Sequence, residues 1–203
     1  MQMSRSSLNS GFLSYDTLEK LGVLDAERRN IRIHSTAVIV NFDEIQFGEN
    51  VRIDAYVVLS CRDLILGNYV HIASGCGFFG TAPIRMGDFS TTSAQVLVYS
   101  STDDYSGKYM TNPTIPSEFT NVQHAAVLIE RHCIIGAHST ILPGSALGEG
   151  AAVGSAALVN GPLPPWTISV GTPAKPIKSQ ARNALDIEVA MLSKERNQYV
   201  QIS

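Results

Sequence analysis

A six-residue repeat between Val127 and Val159 constrains this chain more than any other feature of its sequence. A large apolar residue recurs at every sixth position there, and glycine directly follows three of these residues. The apolar positions are Ile129, Ile135, Ile141, Leu147, Val153 and Val159, and the glycines are Gly136, Gly148 and Gly154. An α-helix repeats every 3.6 residues and a β-strand every two, so neither element alone produces this period. Three short strands per coil do produce it, because every sixth residue then points into a triangular prism.

The same register extends upstream, in coils of slightly different length. Its further positions are Ile33, Ile39, Phe47, Ile53, Leu59, Leu66, Ile72, Phe78, Met86, Thr92 and Val98. One coil takes 19 or 20 residues in this part, against 18 between Ile129 and Leu147, which predicts corner insertions near Arg62 and Thr81. An ordinary β-meander with accidental spacing is the alternative, and so long a register argues against it. We therefore predict an all-β solenoid of parallel coils about 4.8 Å apart.

Composition limits the classes of protein to which the chain can belong. Of its 203 residues 44% are hydrophobic and 16% are charged, against about 25% charged in an average soluble domain. Such low charge suits a solenoid whose flat faces are covered by neighbouring subunits. A net charge of −3 gives no reason to expect binding to nucleic acid or to an anionic membrane.

Targeting signals and cysteine usage indicate the compartment. The sequence has no apolar run of about 18 residues, as a membrane-spanning helix would need, and its N-terminus lacks the apolar core of a signal peptide. Cys61, Cys76 and Cys133 are odd in number and scattered, which is typical of reduced thiols in the cytoplasm. We expect a cytoplasmic protein in which each cysteine is a small core residue.

Segments at both ends are expected to flank the solenoid. Residues 1–11 are expected to lack regular structure. Residues 14–21 predict a short helix with Ser14 as its N-cap and Gly22 as its C-terminal stop, placed over the open end of the prism. The predicted units are residues 1–30, the solenoid at 31–178 and a C-terminal segment at 179–203.

The C-terminal part predicts one last strand and then a helix. Prolines after Asn160 stop strand pairing except at Thr167–Val170. Residues 179–195 predict a helix that serves as a cap or a subunit contact. Its expected apolar face consists of Ala181, Ala184, Leu185, Ala190, Met191 and Leu192.

The register breaks between Tyr99 and His124. This 26-residue stretch has no repeat and is rich in Ser, Thr, Asp and Asn, the residues of turns and ordered loops. A long excursion from a regular scaffold is more often functional than idle. We expect the chemistry of the protein in this protruding loop, residues 99–124.

The repeat, the loop and the tail VGTPAKPIK together resemble the hexapeptide-repeat acyltransferases over residues 30–178. The tail is similar to the family's V-x-G-N-P-A-K ending, with Thr172 in place of Asn. The resemblance implies a left-handed parallel β-helix and a homotrimer with active sites between subunits. It also implies acetyl-CoA or another acyl-CoA as co-substrate, without a metal.

The loop and the opening FLSYDTLEKLG narrow the resemblance to acyltransferases of nucleotide-linked amino-dideoxy sugars. These act in bacterial surface polysaccharide biosynthesis, and many are labelled galactoside O-acetyltransferase. O-acetyltransferases of this fold carry a loop histidine as general base, and residues 99–123 contain none. A sugar amine needs such a base less than a hydroxyl does, because it is nucleophilic once neutral. The catalytic candidates are therefore Asp103, Asp104 and Glu118, which would orient an amine, and His124, which closes the loop.

The resemblance also indicates where the acyl donor binds. A groove between the coils of two subunits, lined by backbone and small side chains, would hold the pantetheine arm, and lysines after the last coil would bind CoA phosphates. The residues are Gly136, Gly154, Ser155, Ala156, Gly171, Thr172, Lys175 and Lys178.

Three other functions remain to be weighed. A zinc enzyme on this fold would need three converging histidines. His132 and His138 share a phase but are six residues apart, hence on different prism faces, and His71 has another phase. A non-catalytic scaffold would need neither the polar loop nor the basic tail. A sugar O-acetyltransferase keeps the fold and the donor and changes only the acceptor.

Overall fold

A computed structural model describes residues 11–200. The expectation for residues 1–11 falls almost wholly outside this range, as does the end of the C-terminal segment, residues 201–203. Helix α1 is Tyr15–Lys20, and Ser14 is its N-cap as predicted, since its hydroxyl accepts from the backbone N–H of Thr17. Helix α2 is Asn183–Val200.

Short strands make up nearly all of the remaining regular secondary structure. Those before the loop are β1 (Arg32–Ile33), β2 (Val38–Val40), β3 (Ile45–Phe47), β4 (Arg52–Ile53), β5 (Val58–Cys61), β6 (Leu64–Leu66), β7 (His71–Ile72), β8 (Gly77–Gly80), β9 (Ile84–Met86), β10 (Thr91–Thr92) and β11 (Leu97–Tyr99). The base of the loop is β12 (Ser101–Thr102) and β13 (Gln123–His124). After it come β14 (Val127–Ile129), β15 (Ile134–Ile135), β16 (Thr140–Ile141), β17 (Ala146–Leu147), β18 (Ala152–Val153), β19 (Leu158–Val159), β20 (Thr167–Gly171) and β21 (Ala174–Ser179).

These strands form three parallel sheets, one on each side of a triangular solenoid. Sheet 1 has the order β1-β4-β7-β10-β15-β18-β20-β21, sheet 2 the order β19-β16-β11-β8-β5-β2, and sheet 3 the order β17-β14-β9-β6-β3. All pairs within these three sheets are parallel except the last in sheet 1, β20 with β21, and β12 and β13 form a separate antiparallel pair. The predicted all-β solenoid is confirmed.

Residues of the predicted six-residue register lie in line within each sheet and point inward. In sheet 2, for example, Leu59 pairs with Phe78 and Phe78 with Val98, and all three are fully buried. Burial of each such side chain contributes about 1.5–3 kcal/mol. Thr92 is the polar member of the register, and its buried hydroxyl lies 3.3 Å from the thiol of Cys76.

Helix α1 covers the N-terminal end of this core, as predicted. Leu18 of the helix is fully buried, and Val23 and Ala26 after it join the same apolar cluster as Ile31 and Ile33 of the first coil. The helix thereby shields a coil that has no neighbour on that side.

The C-terminal segment differs from the prediction. The helix expected from residue 179 begins at Asn183, because residues 174–179 form strand β21, which folds back on β20 as an antiparallel hairpin. Helix α2 then lies along one corner of the prism. Four of the six residues expected on its apolar face are half-buried, whereas Ala181 and Ala190 are exposed.

Under helix α2 runs a ladder of rings, one from each of several successive coils. The rings of Tyr69 and Phe89 are stacked at 4.7 Å between centroids, and those of Phe89 and His132 at 5.2 Å. Trp166 follows, at 6.0 Å from the His132 ring. All four residues have the left-handed backbone that turns the chain at this corner, with φ between 53° and 60°.

No helix within residues 11–200 is long and apolar enough to cross a membrane.

Candidate active site

The loop excursion leaves sheet 2 and encloses a hollow of about 500 Å³. Its base is closed by antiparallel pairing of β12 with β13. Asp103 is among the residues that line the hollow, and among the described residues none is seen to bind its carboxylate. The other lining residues are Tyr99, Ser101, Thr102, Tyr105, Asn112, Pro113, Ile115, Ser117, Thr120 and Val122. The hollow is therefore mainly apolar, with one carboxylate available to a ligand.

Asp104, the second carboxylate predicted in the loop, is used to hold the loop together. Its Oδ1 accepts from the backbone N–H of Ser106 at 2.6 Å, and its Oδ2 accepts from the Asn121 side chain at 2.7 Å. Hydrogen bonds, first from Ser106 and then from Asn121, hold the pKa of Asp104 below its usual value. This is the geometry of an Asx turn tied to the far side of the loop.

Glu118 and His124 lie outside the hollow. Glu118 is exposed in the single 3₁₀ turn Ser117–Phe119. His124 is exposed at the base of the loop, where its Nδ1 lies 2.7 Å from Ser101 Oγ and 2.9 Å from Thr81 Oγ1.

The contacts of His124 indicate an anchoring role. Ser101 Oγ already accepts from the backbone N–H of Thr81, so its own hydrogen is available to the ring. Nδ1 is therefore hydrogen-bonded at the base of the loop in either tautomer of the ring. One ring nitrogen of His124 is thus engaged within the protein.

The glycines predicted to line the donor groove are also required for close packing between successive coils. A Cβ on Gly136 would lie 2.5 Å from the backbone nitrogen of Ser155, and a Cβ on Gly154 would lie 2.7 Å from Val170 Cγ1. Only glycine therefore lets successive coils approach closely at this point. Both glycines directly follow strands of sheet 1, so the surface at this point runs across β15, β18 and β20.

The remaining donor candidates gather at the C-terminal end of that surface. Ser155 and Ala156 are exposed at the corner after β18, and Thr172 Oγ1 donates to the carbonyl of Ala156 at 3.5 Å. Gly171 and Thr172 form the exposed turn of the β20–β21 hairpin. Lys175 and Lys178 are exposed on β21, opposite Val170 and Ile168 of β20. All eight residues thus belong to adjacent strands or turns of sheet 1.

Sequence reasoning missed a polar cluster on the outer side of sheet 1. His71 Nε2 donates to Asp54 Oδ2 at 2.9 Å, and Arg52 Nε donates to Asp54 Oδ1 at 2.7 Å. On its other side, His71 Nδ1 lies 3.3 Å from Thr91 Oγ1. Partial burial alone would raise the pKa of Asp54, but hydrogen bonds from His71 and Arg52 lower it.

The missed cluster does have a signal in the sequence. Arg52, His71 and Thr91 are 19 and 20 residues apart, which is one coil each, so they lie side by side. The six-residue register describes only the inward residues. The outward residues next to them repeat with the same coil length, so outward polar residues one coil apart are neighbours. Within residues 11–200, no group of three or more His, Cys, Asp or Glu is arranged to hold a metal ion.

A three-sided parallel solenoid with a protruding loop and a basic hairpin after its last coil is the architecture of the β-helical acyltransferases. No family model matches the chain. It is 38% identical over 161 residues to the dTDP-4-amino-4,6-dideoxy-D-glucose acyltransferase of Escherichia coli. This match covers 78% of this chain and 84% of that protein. It is 32% identical over 165 residues to the putative lipopolysaccharide biosynthesis O-acetyl transferase WbbJ of E. coli K12, covering 74% of this chain and 80% of that one. The chain belongs to the hexapeptide-repeat acyltransferase family.

Solved structures agree with this assignment. AntD, an N-acyltransferase from Bacillus cereus in complex with dTDP and 3-hydroxybutyryl-CoA, superposes with a TM-score of 0.86 at 37% identity. The match covers 92% of this chain and 98% of that one. An AntD variant with one serine substituted contains dTDP-4-amino-4,6-dideoxyglucose and coenzyme A, and a variant with one aspartate substituted contains dTDP and coenzyme A. The protein is an acyltransferase, as the sequence predicted.

Proposed function

We propose that the protein transfers an acyl group from acyl-CoA to the amino group of a dTDP-linked 4-amino-4,6-dideoxy sugar. The observation that carries this proposal is the near-complete match to AntD, which binds such a sugar nucleotide together with coenzyme A. In the reaction the amine nitrogen attacks the thioester carbonyl carbon, the carbon–sulfur bond breaks, and the amine proton leaves with the thiol of coenzyme A. The reaction is balanced without a metal or a redox partner.

Asp103 is the residue that we assign to the acceptor amine. Its carboxylate lines the loop hollow and can accept a hydrogen bond from the amine, which orients the nitrogen lone pair toward the thioester. The serine and the aspartate substituted in AntD are ten positions apart in that protein. Ser93 and Asp103 have the same spacing here, which supports the choice of Asp103 over Asp104 and Glu118.

For the donor, we assign the C-terminal strands of sheet 1 and the basic hairpin to coenzyme A. The pantetheine arm would follow the surface at Gly136 and Gly154, past Ser155, Ala156, Gly171 and Thr172, and Lys175 and Lys178 would bind phosphate. Lys175→Ala should raise the KM for acyl-CoA several-fold and leave kcat nearly unchanged, because an exposed ion pair is worth about 0.2–1 kcal/mol. An unchanged KM, or a loss confined to kcat, would contradict this assignment.

The active assembly in this proposal is a homotrimer. The outward side of sheet 2 is mostly apolar, with Ser60 and Thr140 as polar exceptions, and burial between protomers would remove it from water. Its outward side chains include Val38, Val58, Phe79, Leu97 and Leu158. Sedimentation that shows a fully active monomer would refute both the trimer and an active site shared between protomers.

The cellular role that we propose is cytoplasmic synthesis of a sugar for bacterial surface polysaccharide. Three free, buried cysteines are consistent with a reducing compartment, and the similarity to WbbJ supports the polysaccharide role. In this proposal residues 31–178 are the catalytic unit, and residues 1–30 and 179–203 flank it.

A comparison of two acceptors tests the reaction. A dTDP-linked 4-amino-4,6-dideoxy sugar and its 4-hydroxyl analogue are each assayed with acetyl-CoA, and thiol release is followed. We expect faster turnover of the amine. The similarity to WbbJ makes O-acetylation the second candidate, and faster turnover of the hydroxyl sugar would favour it.

Variants of the loop test the residue roles. Asp103→Asn should lower kcat/KM about 10- to 100-fold, or roughly 1.4–2.7 kcal/mol, since the neutral amine attacks without a strong base. His124→Asn should cost less, because its ring anchors the loop through Ser101 and Thr81. If His124→Asn is inactive and Asp103→Asn is active, then His124 and not Asp103 is the catalytic residue.

A further inference from the structure

Two arginines lie side by side on the outer face of sheet 1, at its N-terminal end. Arg32 of β1 pairs in register with Arg52 of β4, and the buried Ile33 and Ile53 beside them fix both arginines on the outward side. Both guanidinium groups lie over the ring of Phe12, with their carbons 4.4 Å and 5.2 Å from its centroid. One aromatic ring thus holds two cations close together.

This pair is only partly neutralised. Like charges directly opposite on neighbouring strands destabilise a sheet. The adjacent carboxylate is Asp54, which Arg52 shares with His71. Arg32 forms no ion pair with any carboxylate in the described part of the chain, and both arginines are exposed. The cluster therefore offers guanidinium donors to an anion that comes from outside.

The position of the pair on sheet 1 distinguishes it from the proposed donor site. Strand β1 is the first strand of the sheet, and β20 and β21, with Lys175, are the last. Six strand intervals of about 4.8 Å separate β1 from β20, or roughly 29 Å. Strand β10, which bears Thr91 and precedes Ser93, lies midway between them. Two ligands could thus approach the middle of one face from opposite ends, and the Asp103 that meets the acceptor amine there would come from the loop of a neighbouring protomer of the proposed homotrimer.

We propose that Arg32 and Arg52 bind the diphosphate of the nucleotide-linked sugar, at the opposite end of sheet 1 from coenzyme A. This inference rests on the proposed function. A guanidinium binds phosphate oxygens in pairs through its planar fork of N–H donors, and two arginines match the two phosphates of a nucleoside diphosphate. Phe12 holds the forks in position before the ligand arrives.

Coenzyme A also contains a diphosphate, so the test has to separate the two sources. The variants are Arg32→Gln and, as a matched control, Arg62→Gln, which removes an exposed arginine at a corner insertion away from this cluster. Binding of dTDP alone to the intact protein is measured by calorimetry. The KM values for the amino sugar nucleotide and for acetyl-CoA are then determined separately.

Arg32→Gln should weaken dTDP binding and raise the KM for the sugar nucleotide about 10- to 100-fold. The KM for acetyl-CoA should stay unchanged, and Arg62→Gln should change neither. Unaltered dTDP affinity in Arg32→Gln overturns the proposal, and so does a rise confined to the KM for acetyl-CoA. If the wild type binds dTDP through Arg32 but acylates no amino sugar, the site stands and the proposed reaction fails.

Discussion

Glu188 of helix α2 is the residue on which the docking of that helix most depends. Its carboxylate accepts two hydrogen bonds from Arg131 and lies 2.7 Å from His132 Nε2. The side chains of Glu188 and His132 are only 13% and 9% exposed, so water replaces these bonds poorly. Neutralising this carboxylate at constant shape should therefore release the helix from the ring ladder.

The magnitude follows from the contacts that are lost. Hydrogen bonds to a charged group are worth about 1.5–3 kcal/mol, and Arg131 recovers part of this in water because its side chain is 39% exposed. We expect Glu188→Gln to weaken docking of α2 by about 1.5–3 kcal/mol, a factor of about 10 to 150. Asp186→Asn is the matched control, since it neutralises an exposed carboxylate two positions away on the same helix.

Two measurements check this. Hydrogen exchange of the α2 amides should accelerate in Glu188→Gln by the factor given above, and change little in Asp186→Asn. Trp166 is the only tryptophan of the chain and lies under α2, with the Arg182 guanidinium 5.7 Å from its ring. Its fluorescence should become accessible to a soluble quencher in Glu188→Gln alone. Equal exchange and equal quenching in the two variants would refute the reasoning.

Three further predictions concern a glycine between coils, the Asp54 cluster on the outer side of sheet 1, and two buried cysteines. Gly136→Ala should lower the free energy of unfolding by about 1–3 kcal/mol, because the new methyl group meets the backbone of the next coil. Gly161→Ala is the control, since it has open space around it and should leave the free energy of unfolding unchanged. Urea unfolding of the two variants measures the difference. The lowered pKa of Asp54 means that its ionised form stabilises the fold above the unfolded-state pKa and loses this effect as pH falls through the folded value. The stability advantage of wild type over Asp54→Asn should therefore shrink in acid, below about pH 4. Burial raises the pKa of Cys61 to about 11 and that of Cys133 to about 12, so neither should react with a thiol reagent at pH 8 until the protein unfolds.

The inward register was predictable because one physical requirement determines it. A side chain inside the prism must be apolar and of limited size, so Ile135, Ile141 and Leu147 are recognisable without knowledge of their neighbours. The outward residues meet no such requirement. His71 and Asp54 are recognisable as partners only when the exact coil length between them is known, and that length varies from coil to coil.

The ends of the solenoid were less predictable for a different reason. Residues 174–179 have no strand pattern of their own, and their pairing with β20 depends on a free edge that the last coil leaves. Helix α2 begins at Asn183 instead of residue 179, because the β20–β21 hairpin extends to Ser179. In the loop, residue types could not separate Asp103, which lines the hollow, from Asp104, whose contacts depend on the position of Asn121 across the loop.

The solenoid accommodates its loop at small cost, which makes the break in the register a favourable place for the proposed acceptor site. Strand β14 pairs in register with β9, although Val127 and Ile84 are 43 residues apart instead of 18 to 20. Doubling the length of a closed loop costs only about 0.6 kcal/mol in chain entropy. The antiparallel pair β12–β13 adds hydrogen bonds at the base of the loop that offset part of that cost. The core register before and after the insertion is then the same, so the loop can vary in sequence and length while sheet 1 keeps both proposed ligand ends at a fixed separation.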